Sequence, residues 1–163
     1  LARMYMQRSL PFQTRDLPAG YSARPQTPDD VDALARLYLD AYPPGVAVSD
    51  LDEATAEMEA VFAGEFGVPL ESASLVALDG DGELVGCVQT VERGVWEGAP
   101  DCPFVIELFV DQSQRGQGLG AALLGLAARA CSEAGADQLA LNVDPAVSPG
   151  AFRMYLAMGF QGS

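Results

Sequence analysis

Residues 104–133, FVIELFVDQSQRGQGLGAALLGLAARACSE, constrain this chain more than any other stretch. Phe104–Val110 is apolar except for Glu107, which is the pattern of a buried strand. Asp111 to Gln114 break that run, and Arg115-Gly116-Gln117-Gly118-Leu119-Gly120 follow. Leu119, Ala122, Leu123, Leu126, Ala127 and Ala130 then recur at helical spacing as one apolar stripe, and Gly135 stands where such a helix stops. A strand, a glycine-rich turn and a helix are expected in that order. The opening amides of a helix have no internal partner and carry the positive end of its dipole. Glycines let an anion approach that backbone closely. With Arg115 beside it, the turn suits a pyrophosphate; a plain tight connection has the same pattern.

Three phosphate-binding patterns compete for this turn. A Walker A loop needs Gly-Lys-Ser/Thr, and the chain contains no Lys. Gly116-x-Gly118-x-x-Ala121 fits a dinucleotide fingerprint, G-x-G-x-x-A. That fingerprint follows its strand almost directly and opens a longer alternating domain, whereas here Asp111 to Arg115 intervene and little chain follows. The third pattern is Gln/Arg-x-x-Gly-x-Gly/Ala, which Arg115, Gly118 and Gly120 match in register.

A second constellation lies near the end. Ser148-Pro149 opens a helix, and Ala151, Tyr155, Gly159 and Phe160 stand at the spacing Ala…Tyr…Gly-Phe. Residues 21–39 add a strand with Arg24-Pro25 and an acid-led helix start at Thr27-Pro28-Asp29-Asp30. Taken together, residues 21–160 resemble the GNAT superfamily of acyl-CoA-dependent N-acetyltransferases. The resemblance implies an α/β (α+β) fold with a mixed, mostly antiparallel central sheet, splayed central strands and flanking helices. It also implies acetyl-CoA as co-substrate and no metal.

The same resemblance assigns roles. The backbone of Leu108, Phe109 and Val110 would bond the pantetheine arm as an added strand would. Arg115, Gly116, Gln117, Gly118, Leu119, Gly120 and Ala121 would hold the pyrophosphate. Ser148 takes the place of an Asn that touches the cofactor and has a shorter reach. Tyr155 would protonate the departing thiolate. Tyr42, beside Pro43-Pro44, borders the acceptor site or is part of a plain hydrophobic loop. Glu107 is the one charge inside the apolar strand, so it lines a wet cleft or finds a partner. It takes the amine proton, binds a cationic amine, or pairs with an Arg. Asn142 stands where some relatives carry a catalytic Glu, and an amide is no base.

The remaining elements follow from periodicity. Val31, Leu34, Ala35, Tyr38 and Leu39 share a helical face that ends at Tyr42-Pro43-Pro44-Gly45. Residues 50–66 read as a second helix with Ser49 at its N-cap. Residues 74–78 and 83–92 read as strands joined by the Asp79-Gly80-Asp81-Gly82 hairpin turn. Gln138–Val143 is another strand. Residues 1–20 show no periodicity and read as an N-terminal extension to a domain over 21–163. In the family more strand follows Gly-Phe, but here only Gln161-Gly162-Ser163 do. The sheet therefore lacks its final strand or strands, and an extension or a second chain covers its edge, leaving a homodimer open.

Composition narrows the function. The formal charge is −14, and all 9 basic residues are Arg. Such a surface repels nucleic acid and anionic membranes, and either attracts a cationic amine or serves solubility. His is absent, which removes His triads and His metal sites. Cys87, Cys102 and Cys131 have no metal-binding spacing. No apolar run is long enough to span a bilayer, and the first residues lack a signal-peptide core, so a cytoplasmic location is expected. The leading expectation is an N-acetyltransferase acting on a primary amine. A longer acyl-CoA donor, a non-catalytic acyl-CoA sensor and, more distantly, a dinucleotide oxidoreductase remain as alternatives.

Overall fold

The computed structural model describes residues 4–162. Residues 1–3 and Ser163, which fall in the expected extension and at the chain end, lie outside them. Seven strands are described: β1 (Met4–Ser9), β2 (Ser22–Pro25), β3 (Leu75–Leu78), β4 (Leu84–Val91), β5 (Phe104–Val110), β6 (Gln138–Val143) and β7 (Gln161–Gly162). They form one sheet in the order β2-β3-β4-β5-β6-β1-β7. Every neighbouring pair is antiparallel except β5 with β6. Parallel neighbours need a long crossover, and the helix α3 (Leu119–Glu133) supplies it. The other helices are α1 (Val31–Ala41), α2 (Leu51–Phe62) and α4 (Pro149–Ala157). This mixed, mostly antiparallel sheet with helices on both faces is the architecture expected.

Strand alternation sorts the core into two layers. Cys87, Phe109 and Val76 meet Leu34, Tyr38, Met58 and Val61 of α1 and α2. Val88, Val105 and Leu141 face the other way and meet Leu119, Leu123 and Ala127 of α3 with Tyr155 of α4. With both faces covered, β4 is buried along nearly its whole length.

Helix starts follow local chemistry, with one shift from expectation. A 3-10 turn, Pro28–Asp30, leads into α1. The Asp30 carboxylate accepts the Thr27 N–H at 2.8 Å and takes the Arg24 fork at 2.9 and 2.8 Å. The cap of α2 is Asp50 rather than Ser49: the Asp50 carboxylate accepts the Glu53 N–H at 2.8 Å. Ser49 donates its own N–H to the Glu53 carboxylate at 3.3 Å. Asp caps as well as Ser, and Asp50 stands three residues before Glu53, the spacing of a capping box. α2 ends at Phe62, so Phe66 lies beyond it and stacks on Trp96 with ring centroids 6.4 Å apart. The hairpin turn is held by the Asp79 carboxylate, which accepts the N–H of Asp81 at 2.9 Å and of Glu83 at 3.0 Å.

Sequence periodicity did not reveal β1. It runs beside β6 from Met4 opposite Val143 to Ser9 opposite Gln138, and β7 then pairs with β1 at Met6 and Gln7. Only Met6 of this strand is buried, at 0% exposure, and one buried residue makes no period. Of the covers considered for the β6 edge, the chain's own N-terminal strand occupies it.

Candidate active site

The site begins where β5 and β6 part. Their pairing consists of Phe104 with Ala140 and Val105 with Leu141, and goes no further. Beyond Val105 the strand has a neighbour only on its β4 side, where Glu107, Leu108, Phe109 and Val110 remain paired. Consequently Ile106, Glu107 and Leu108 are half-buried in the middle of a central strand whose ends are buried. The Asp111 N–H donates to the Val85 carbonyl of β4 at 2.9 Å. In an antiparallel ladder backbone groups alternate sides, so the amides and carbonyls of Val110 and Leu108 point away from β4, into the gap.

Four titratable side chains gather around that gap. Tyr38 and Tyr42 lie one turn apart at the end of α1 and pack edge to face, centroids 5.6 Å apart. Both rest on Phe109 of β5, at 5.2 and 6.5 Å. Glu107 is on the Phe109 side of the strand, near enough to the Tyr38 hydroxyl for its charge to act on that phenol. Tyr155 comes from α4, is 6% exposed and packs against Phe160 at 6.0 Å. Burial first, and the Glu107 charge next, hold all three phenols above their ordinary range. They stay protonated at neutral pH. Arg115 partly counters this at Tyr42.

At the mouth of the gap lies the glycine-rich turn. Gly116 has φ +83° and Gly118, the N-cap of α3, has φ +82°, a region glycine reaches without strain. A Cβ on Gly116 would meet nothing within 4 Å, so this side of the turn is open. The turn is pinned to the end of α1: Gln112 donates to the Asp40 carbonyl at 2.7 Å, and Arg115 donates to the Ala41 carbonyl. Among the described residues no group of three or more His, Cys, Asp or Glu is placed to hold a metal ion. Among the described residues no helix is long and apolar enough to cross a membrane.

Comparison with known proteins decides the family. The sequence profile described as "Acetyltransferase (GNAT) family" matches residues 31–160. This chain belongs to the GNAT acetyltransferase family. Solved structures agree on the fold. A GCN5-related N-acetyltransferase from Sphaerobacter thermophilus superposes with TM-score 0.72 at 21% identity, covering 99% of this chain and 48% of that one. The chain thus spans about half the length of that relative. An aminoglycoside N-acetyltransferase in complex with CoA gives TM-score 0.65 at 19% identity, covering 93% and 91% of the two chains. A GNAT family acetyltransferase from Brucella melitensis in complex with acetyl-CoA gives 0.56 at 22%, covering 71% of each. No curated protein matches the sequence.

Within this GNAT domain the expected site residues fall into groups. Glu107, Tyr42 and Tyr155 converge on the gap. Leu108, Phe109 and Val110 border it, but the Phe109 and Val110 side chains are core, leaving backbone as what Val110 offers. Leu119 is also core at 2% exposure, so its contribution to the turn is its amide. Gly116, Gln117, Gly118, Gly120 and Ala121 form the turn and the first turn of α3. The Arg115 guanidinium donates to the carbonyls of Ala41 and, at 3.4 Å, Val110 through Nη2 and Nε, and keeps further N–H donors. Those bonds brace the turn against the end of α1. Ser148 is the N-cap of α4, and its hydroxyl makes no capping hydrogen bond. By periodicity Tyr38 is a core-facing helix residue, and the structure adds it to the gap. Its spacing from Tyr42 was the signal that both share one face.

Proposed function

We propose that this chain is an N-acetyltransferase that moves an acetyl group from acetyl-CoA to a primary amine by direct attack. The observation that carries this reading is the parting of β5 from β6 after Val105 and Leu141, with Glu107 and Tyr155 at the gap and the glycine turn at its mouth. An extended amide chain such as pantetheine fits a strand edge whose Leu108 and Val110 groups face a gap. The open turn and unpartnered amides at the start of α3 suit a diphosphate.

When bound, the co-substrate supplies an activated thioester. The residues supply the rest. Glu107 accepts the proton of the acceptor ammonium, leaving a neutral amine to form the C–N bond. A backbone amide of β5 at the gap polarises the thioester carbonyl and stabilises the oxyanion. As the C–S bond breaks, Tyr155 gives its proton to the thiolate, which leaves as thiol, and the second proton shed by the new amide nitrogen restores the phenol. A cationic acceptor is favoured because Glu107, Glu57 and Glu53 all bear electrostatically on Tyr38 at the gap, in a chain of net charge −14.

The test is a thermal shift with acetyl-CoA, CoA and NADH on wild type and Gly118→Trp, followed by an amine screen. A ligand at about 100 times its Kd stabilises by about 2.7 kcal/mol, which a melting curve resolves. CoA species alone should shift the wild type, and the bulky variant should lose the shift. No shift with either CoA species at saturation would overturn the reading.

A further inference from the structure

The arm between β1 and β2, residues 10–21, is strapped along α3 in the opposite direction. Leu10 donates its N–H to the Asp137 carbonyl, just past the end of α3, at 2.8 Å. Arg129 donates to the Thr14 hydroxyl at 3.0 Å. Thr14 rests on Gly125, where a Cβ would stand 2.7 Å from the Thr14 Cβ. Further along, the Tyr21 hydroxyl donates to the Gln114 side chain in the turn before α3. Between Thr14 and Tyr21, Arg15 reaches the start of the helix. Its Nη1 fills the space that a Cβ on Gly118 would take.

That position is unfavourable for a cation by itself. The N-terminus of α3 carries partial positive charge and repels a guanidinium. The chain has 23 acidic residues for 9 basic ones, yet the ion pairs among the described residues are Arg24 with Asp30 and Arg93 with Asp101, neither involving Arg15. Arg115, the arginine the turn itself carries, is already bonded to Ala41 and Val110. An anion between the opening amides of α3 and the Arg15 guanidinium would satisfy both. A guanidinium fork also matches phosphate oxygens in geometry and charge.

The geometry points to Arg15 as a ligand of the diphosphate of CoA, delivered by the N-terminal arm from outside the 31–160 span that matches the family. This rests on the co-substrate reading above and adds a residue to it. The glycine turn supplies amides from one side, and the arm supplies the positive charge from the other.

Isothermal titration of wild type, Arg15→Ala and Arg15→Gln with CoA, 3′-dephospho-CoA and phosphate-free pantetheine tests this. Arg15 is exposed, so both variants should melt like wild type without ligand. Charged hydrogen bonds of this kind correspond to roughly tenfold to hundredfold in affinity. Both variants should lose about that for CoA and for 3′-dephospho-CoA alike, and nothing for pantetheine. Unchanged CoA affinity in the variants, or a loss confined to CoA and absent with the 3′-dephospho form, would overturn the diphosphate assignment. A wild type that binds no CoA would instead overturn the co-substrate reading itself.

Discussion

Val105 and Leu141 are the last residues at which β5 and β6 face each other, and the site depends on that parting. Were the pairing to continue, Leu108 and Val110 would spend their backbone groups on β6 and Glu107 would be enclosed. Because it stops, a carboxylate is tolerated in the middle of an otherwise apolar strand.

Glu107→Gln should therefore separate chemistry from co-substrate binding. The amide keeps the shape but takes no proton. We expect kcat/KM for the amine to fall by about 10²-fold or more, with the Kd for CoA unchanged. Steady-state kinetics alongside calorimetry measure both. An equal loss of CoA affinity would point to a collapsed strand edge instead.

Tyr155→Phe should bind CoA as wild type does and lose about 10²-fold or more in kcat. Burial and then the Glu107 charge raise the Tyr155 phenol above its ordinary value. Its protonated form thus persists above about pH 10, and wild-type kcat should show no alkaline loss from Tyr155 below that pH. Removing the neighbouring charge with Glu107→Gln should lower the tyrosine titration, read by ultraviolet absorbance. A titration that moves upward would contradict this electrostatic account.

Asp30 ties β2 to the start of α1. The Arg24 fork, offset in part by burial, and then the Thr27 N–H hold its carboxyl below the usual carboxylate range. A depressed acid contributes stability that is present above its unfolded pKa and lost as pH falls through the folded one. The Arg24 side chain is 44% exposed, so solvent screens the pair and the contribution is about 1 kcal/mol. Asp30→Ala should cost that much at pH 7, and the gap from wild type should shrink as pH drops below about 4. Urea unfolding at the two pH values gives the comparison.

Met6 tests whether β1 is part of the core. It is fully buried against the α3 side of the sheet. Met6→Ala should destabilise by about 2–4 kcal/mol, whereas Gln7→Ala, half-buried beside it, should stay within about 0.5 kcal/mol. Similar small effects for both would mean that the strand adds little to stability.

Much of this molecule was legible in its residues. β5, β6 and α3 stand where period and glycine placement put them, because a buried strand must be apolar throughout and a helix must repeat its stripe. The turn at Gly116 and Gly118 was legible for the same reason: only glycine takes its positive φ freely. Family resemblance named Tyr155, and a lone charge in an apolar strand marked Glu107, but neither showed the company they keep.

The rest was decided by tertiary structure. Sequence left Glu107 with three possible roles, and only the parting of two strands brought it beside Tyr38 at an open gap. Sequence placed Arg115 beside the turn, and only folding brought the carbonyl of Ala41 within its reach. Residues 4–9 and Arg15 carried no periodic signal, because one buried side chain in a strand and one exposed cation on an arm leave no pattern. Local period is written in consecutive residues; the meeting of an arm with a helix end distant in sequence is set by packing across the whole sheet.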